Sequence, residues 1–158
     1  MSARAQTGAA PVVVVLRDPA ALLALSGGCV LLVEALLAAL LFGFDAEVHS
    51  PVQAALLLGV GGLVALIAAR LVLIAPRAAS VLCLVALTPA AAAHLPAFTS
   101  RLHAHYYYGP GSFTPADVPS LGAVLAPLLA WLVAAAPLVC AAFLAWHRSA
   151  HEREGVAG

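Results

Sequence analysis

Four long apolar stretches, separated by short polar interruptions, dominate the chain. Residues 20–42, 52–75, 78–97 and 121–146 are almost continuously hydrophobic, and none shows the one-sided polar face of a helix lying on water. At 1.5 Å per residue the first stretch makes a helix of about 34 Å, enough to cross the hydrocarbon core of a bilayer. The pattern predicts an all-α polytopic membrane protein: a four-transmembrane-helix bundle with short tails at residues 1–19 and 147–158. The run Val12–Leu16 is too short to span and stops at Arg17-Asp18-Pro19, so the first long stretch reads as an uncleaved signal anchor, with a cleavable signal peptide as the alternative.

Within these stretches a few polar positions stand out. Glu34 is the only ionisable side chain of the first span. A charged carboxylate near mid-bilayer costs about 2.5–3.5 kcal/mol, so Glu34 is expected to be protonated or to face protein, with Ser26, Cys29 or a partner subunit as the contact. Small residues at four-residue intervals, Ala35/Ala39/Gly43 and Ala126/Ala130/Ala134, predict close helix contacts, as do Gly59, Gly61 and Gly62 in the second span. Arg70, near the end of that span, is placed to snorkel to headgroups or to meet an anionic partner. Pro89 and Pro96 in the third span and Pro127 and Pro137 in the fourth remove backbone donors and mark bends.

Composition sharpens this picture. Hydrophobic residues make up 64% of the 158 positions and charged residues only 9%, with a mean hydropathy of +1.06. That is far from the roughly 25% charged residues of soluble domains, and it assigns the chain to membrane lipid. The net charge is zero and all seven basic residues are Arg, which leaves no basic stripe for nucleic acid. Arg4, Arg17, Arg77, Arg148 and Arg153 fall on one side of the expected topology, with Arg70 just inside it, against Arg101 on the other. By the positive-inside rule both termini are cytosolic and the connections 43–51 and 98–120 face outward. With no Asn in the chain, no N-glycosylation acceptor exists.

Candidate chemistry is sparse. His49, His94, His103 and His105 map to the outer side beside Asp45, Glu47 and Asp117, residue types that bind zinc or copper or that form a pH-sensitive surface, but in no diagnostic spacing. No haem pairing, GxSxG or HExxH occurs, so no enzyme and no cofactor are expected. Cys29, Cys83 and Cys140 sit singly in apolar runs and predict buried thiols and no structural disulfide, with palmitoylation of Cys140 as the alternative. Tyr106, Tyr107 and Tyr108, beside the Gly109-Pro110-Gly111 turn, suit either the headgroup layer or a docking partner. An alternative use of Glu34 is proton coupling in a small bacterial four-span subunit or transporter.

The layout resembles a known family. Four spans with both ends cytosolic, an acid in the first (LLVEALLAALLFGF, Glu34) and Arg70 and Arg77 closing the second (LIAARLVLIAPR) are similar to the alphaherpesvirus egress membrane protein, the partner of glycoprotein K. The similarity covers about residues 20–146; the departure is at the front, where family members carry a longer acidic region than the nineteen residues here. The resemblance implies a non-enzymatic protein that binds glycoprotein K and supports its transport, virion envelopment and egress, and membrane fusion. It also implies residence in host Golgi, nuclear and plasma membranes and in the virion envelope.

Overall fold

Each helix begins where the sequence supplies a start signal. In the computed structural model, which describes residues 17–41, 51–107 and 119–154, the helices are α1 (Pro19–Leu41), α2 (Pro51–Leu71), α3 (Pro76–Tyr107) and α4 (Leu121–Glu154), and no strand occurs among the described residues. Proline opens α1, α2 and α3, at the position where its missing N–H costs nothing. Asp18 caps α1, its Oδ1 accepting from the backbone N–H of Ala20 at 2.9 Å and of Ala21 at 3.1 Å. Ser120 caps α4, its Oγ accepting from the N–H of Ala123 at 3.2 Å. The connection from α2 to α3 is a tight turn in which Leu71 O accepts from Ile74 at 3.0 Å and from Ala75 at 2.7 Å.

All four helices are long and apolar enough to cross a membrane. They pack as a ring, α1 on α2, α2 on α3, α3 on α4 and α4 back on α1, which sets α1 diagonally opposite α3. The packing is inverted relative to a water-soluble bundle. Alanine fills most of the interior, as at Ala24, Ala38, Ala65, Ala68, Ala86, Ala90, Ala134 and Ala141, while Leu36, Leu40, Leu56, Leu63, Ile67, Leu129 and Phe143 point outward. In water an apolar surface of this extent would drive association; in lipid it is solvated, and small residues inside let the backbones approach closely.

Two glycine pairs set that approach. A Cβ on Gly28 would lie 3.1 Å from Gly62 O, and one on Gly62 would lie 3.1 Å from Gly28 O and 2.7 Å from Leu32 Cγ. A Cβ on Gly27 would meet Leu138 Cγ of α4 at 2.6 Å, and one on Gly61 would meet Ala86 O of α3 at 2.9 Å. Consecutive residues point about 100° apart around an α-helix, close to the corner angle of a four-helix ring. Each Gly-Gly pair therefore opens one helix to both of its neighbours at once.

These contacts correct the expected small-residue ladders. The buried seam of α1 runs through Ala21, Ala24, Gly28, Leu31, Ala35 and Ala38, spaced by three and four; Ala39 is exposed and Gly43 lies outside the described residues. On α4 Ala134 is buried but Ala126 is exposed, because the seam there runs through Val124, Pro127, Ala134, Leu138 and Ala141. A strict four-residue spacing drifts off one face of a 3.6-residue helix, whereas alternating threes and fours stay on it.

Helix ends also differ from the expected spans. The third span was expected to end at Ala97, but α3 continues to Tyr107; the fourth was expected to end at Trp146, but α4 continues to Glu154. Neither extension contains Gly or Pro, and both are tied sideways. Arg101 Nη1 donates to Ala123 O at 2.8 Å, and Arg77 Nε donates to Ser149 Oγ at 3.3 Å. In the other direction, α2 ends at Leu71 rather than running to Ala75.

Candidate functional site: an acid–imidazole pair across the bundle

Glu34 finds its partner on the diagonal. Its Oε2 lies 3.1 Å from Nε2 of His94 on α3, so the pair reaches across the middle of the ring instead of joining neighbours. His94 is fully buried and Glu34 is 14% exposed. Alanines clear the space: Ala35 and Ala38 flank Glu34 on α1, and Ala90 and Ala93 lie beside His94 on α3, all in the same buried cluster as Leu31, Leu58 and Leu138. Glu34 sits seven residues before the end of α1, about 10 Å along the axis.

The pair is electrically economical. With one proton between Oε2 and Nε2 and one on Nδ1, it is net neutral whether written as imidazolium and carboxylate or as imidazole and carboxylic acid. Neutrality avoids the cost of a bare charge at membrane depth. Trp131 of α4 packs against the same cluster, and its Nε1 is buried without a hydrogen-bond partner among the described residues.

The sequence groups His94 with the outer histidines and offers Ser26, Cys29 or a partner subunit as the contact for Glu34. The structure corrects both. His94 is thirteen residues short of the α3 end and belongs to the interior. Ser26 Oγ donates to Leu23 O of its own helix at 2.9 Å, and Cys29 is exposed on the outer surface of α1. Cys140 is exposed as well and Cys83 is buried; all three are free thiols.

The remaining candidates are dispersed. Arg70 is exposed in the last turn of α2, and Tyr106 is 75% exposed near the end of α3. The side chain of Tyr107, and all of Tyr108, His49, Asp45, Glu47 and Asp117, lie outside the described residues. His103 is exposed, while the ring of His105 makes a 2.9 Å contact from Nδ1 to Pro119 O. No group of three or more His, Cys, Asp or Glu positioned for a metal ion occurs among the described residues.

A second polar cluster, which sequence reading did not single out, closes the opposite end. Arg148 Nη2 of α4 is paired with Asp18 Oδ2, the same carboxylate that caps α1. Beside it the Arg77 guanidinium lies over the Trp146 ring, 5.7 Å from its centroid, and Ser149 Oγ donates to Trp146 O at 2.7 Å. The only sequence signal was the Arg17-Asp18-Pro19 run, whose Asp before Pro is also a helix-start signature.

Fold and site together define a helical multispanning membrane bundle with an acid–imidazole pair at its centre. No protein-family model, curated protein or solved structure matches the chain.

Proposed function

We propose that the protein is a non-enzymatic multispanning membrane protein that docks a second multispanning membrane protein, of the glycoprotein K type. In that role it supports the partner's transport, virion envelopment and egress, and membrane fusion. The observation that carries the docking reading is the projecting end of α3. At 32 residues, or about 48 Å, α3 is longer than a bilayer core requires, and its last turns carry exposed His103 and Tyr106. Arg101 and His105 tie this segment to Ala123 and Pro119, so it is held before any partner arrives. A segment whose backbone is already ordered loses less entropy on docking, and Tyr is a frequent anchor of interfaces. Arg17, Arg70, Arg77 and Arg148 gather at the opposite end against Arg101 here, which favours cytosolic termini and an outward-facing Tyr106.

Co-expression with a multispanning viral glycoprotein of this type, followed by purification in mild detergent, tests the reading. Association that is lost with Tyr106→Ala supports it. No association, and no redirection of the glycoprotein in cells, refutes the viral version.

A second reading is favoured by the Glu34–His94 contact: proton coupling in a small bacterial membrane subunit or transporter. Titratable groups inside a bundle commonly mark proton paths, and two in contact make a minimal relay. Glu34→Gln keeps a hydrogen bond but removes the acid. Unchanged proton flux or transport by that variant in proteoliposomes rules this reading out.

A further inference from the structure

The end of the bundle that carries both Asp18 and Ser149 gathers arginine side chains, and among the described residues only some of them are used in internal contacts. Among the side chains described there, the guanidinium groups of Arg17, Arg70, Arg77 and Arg148 face a single carboxylate, that of Asp18. Asp18 is engaged by Arg148 and by the first turn of α1, which leaves it little capacity to neutralise the others. Arg77 is the best-seated of the group. Its Nε is bonded to Ser149 Oγ and its Cζ lies 5.7 Å from the centroid of the Trp146 ring, while its two terminal amino groups carry no hydrogen bond among the described residues. A guanidinium fixed by its Nε and by an aromatic face presents its outer edge as a ready two-pronged donor.

We propose that this corner, between the start of α3 and the last turns of α4, binds the phosphate of an anionic glycerophospholipid. Arg77 supplies the fork; Arg148, already paired with Asp18 and with its side chain 39% exposed, borders the same corner. Trp146, 54% exposed, marks the depth at which lipid glycerol and phosphate lie, and its ring gives the acyl-chain side an apolar wall. The exposed Phe143, one turn earlier on the same side of α4, continues that wall toward the hydrocarbon. Lipid phosphate fits the site better than a soluble phosphate because the charged edge and the apolar wall adjoin. The inference stands whichever partner the outer end recognises.

Native mass spectrometry of the full chain in detergent, titrated with phosphatidylglycerol or phosphatidylcholine, tests the site. The wild type is expected to retain phosphatidylglycerol preferentially. Arg77→Gln is expected to weaken that retention by about five-fold, the worth of one well-placed basic side chain, and Arg70→Gln to weaken it less. Glycerol 3-phosphate at equal concentration should not displace the lipid. Equal retention of both lipids by the wild type, equal losses in Arg77→Gln and Arg70→Gln, or displacement by glycerol 3-phosphate overturns the proposal. Should Arg77→Gln not fold, Arg77→Lys decides. Lysine keeps the charge but not the fork, so retention below wild type supports the site and retention equal to wild type refutes it.

Discussion

Among the described residues two acid–base contacts hold α1, and they differ in nearly everything except their chemistry. Asp18–Arg148 joins ring neighbours at the rim, with the arginine side chain 39% exposed; Glu34–His94 crosses the diagonal, with the histidine fully buried. At the rim, water and headgroups solvate either partner if the other is lost, so the ion pair adds little beyond the helix cap that Asp18 also provides. At the centre neither water nor headgroups stand ready to replace a lost partner. The interior pair is therefore strongly felt when one half is removed, even though its net contribution relative to two apolar residues is small.

That contrast orders the expected effects of substitution on unfolding in mixed micelles. His94→Leu should cost the most, about 3 kcal/mol, because it strands the Glu34 carboxyl among alanines and leucines. Glu34→Gln, which keeps a donor and acceptor opposite His94, should cost about 1 kcal/mol, and a loss as large as that of His94→Leu would make the acid itself indispensable. Gly62→Leu should cost about 2 kcal/mol, since even its Cβ would lie 2.7 Å from Leu32 Cγ and 3.1 Å from Gly28 O. Gly59→Ala, whose new methyl would meet only Ala35 Cβ at 4.0 Å, should be tolerated, and a comparable loss there would mean that the tight crossing is not confined to the glycine pairs. Asp18→Ala should cost about 1 kcal/mol through the lost cap. Arg148→Gln should cost only about 0.5 kcal/mol, and the effect should shrink as salt is raised; a salt-independent loss would place that pair out of reach of water.

The same contrast shows what sequence can and cannot reveal. The four spans were legible because composition and length alone decide them: long runs of Leu, Ala and Val have no other use at this charge density. Glu34 was legible because an ionisable group in such a run is conspicuous. Its partner was not, because His94 was placed by its distance from an expected span end at Ala97. The helix itself does not stop there: sideways bonds from Arg101 and His105 accompany α3 on to Tyr107, which leaves His94 well inside the helix. The glycine pairs were only half visible. A search for residues four apart finds ladders on one face, whereas Gly27-Gly28 and Gly61-Gly62 work by pointing at two neighbouring helices, which matters only once the ring is known. The rim cluster was hidden for a similar reason, since Asp18 and Arg148 are 130 residues apart.

A double-mutant cycle on Glu34 and His94 tests the diagonal pair most directly. Glu34→Leu and His94→Leu are compared singly and together by equilibrium unfolding in lipid-containing micelles. Because an interior pair replaced by two apolar side chains leaves no stranded group, the double variant should recover most of the roughly 3 kcal/mol lost in His94→Leu. If the two losses simply add, Glu34 and His94 do not meet across the bundle.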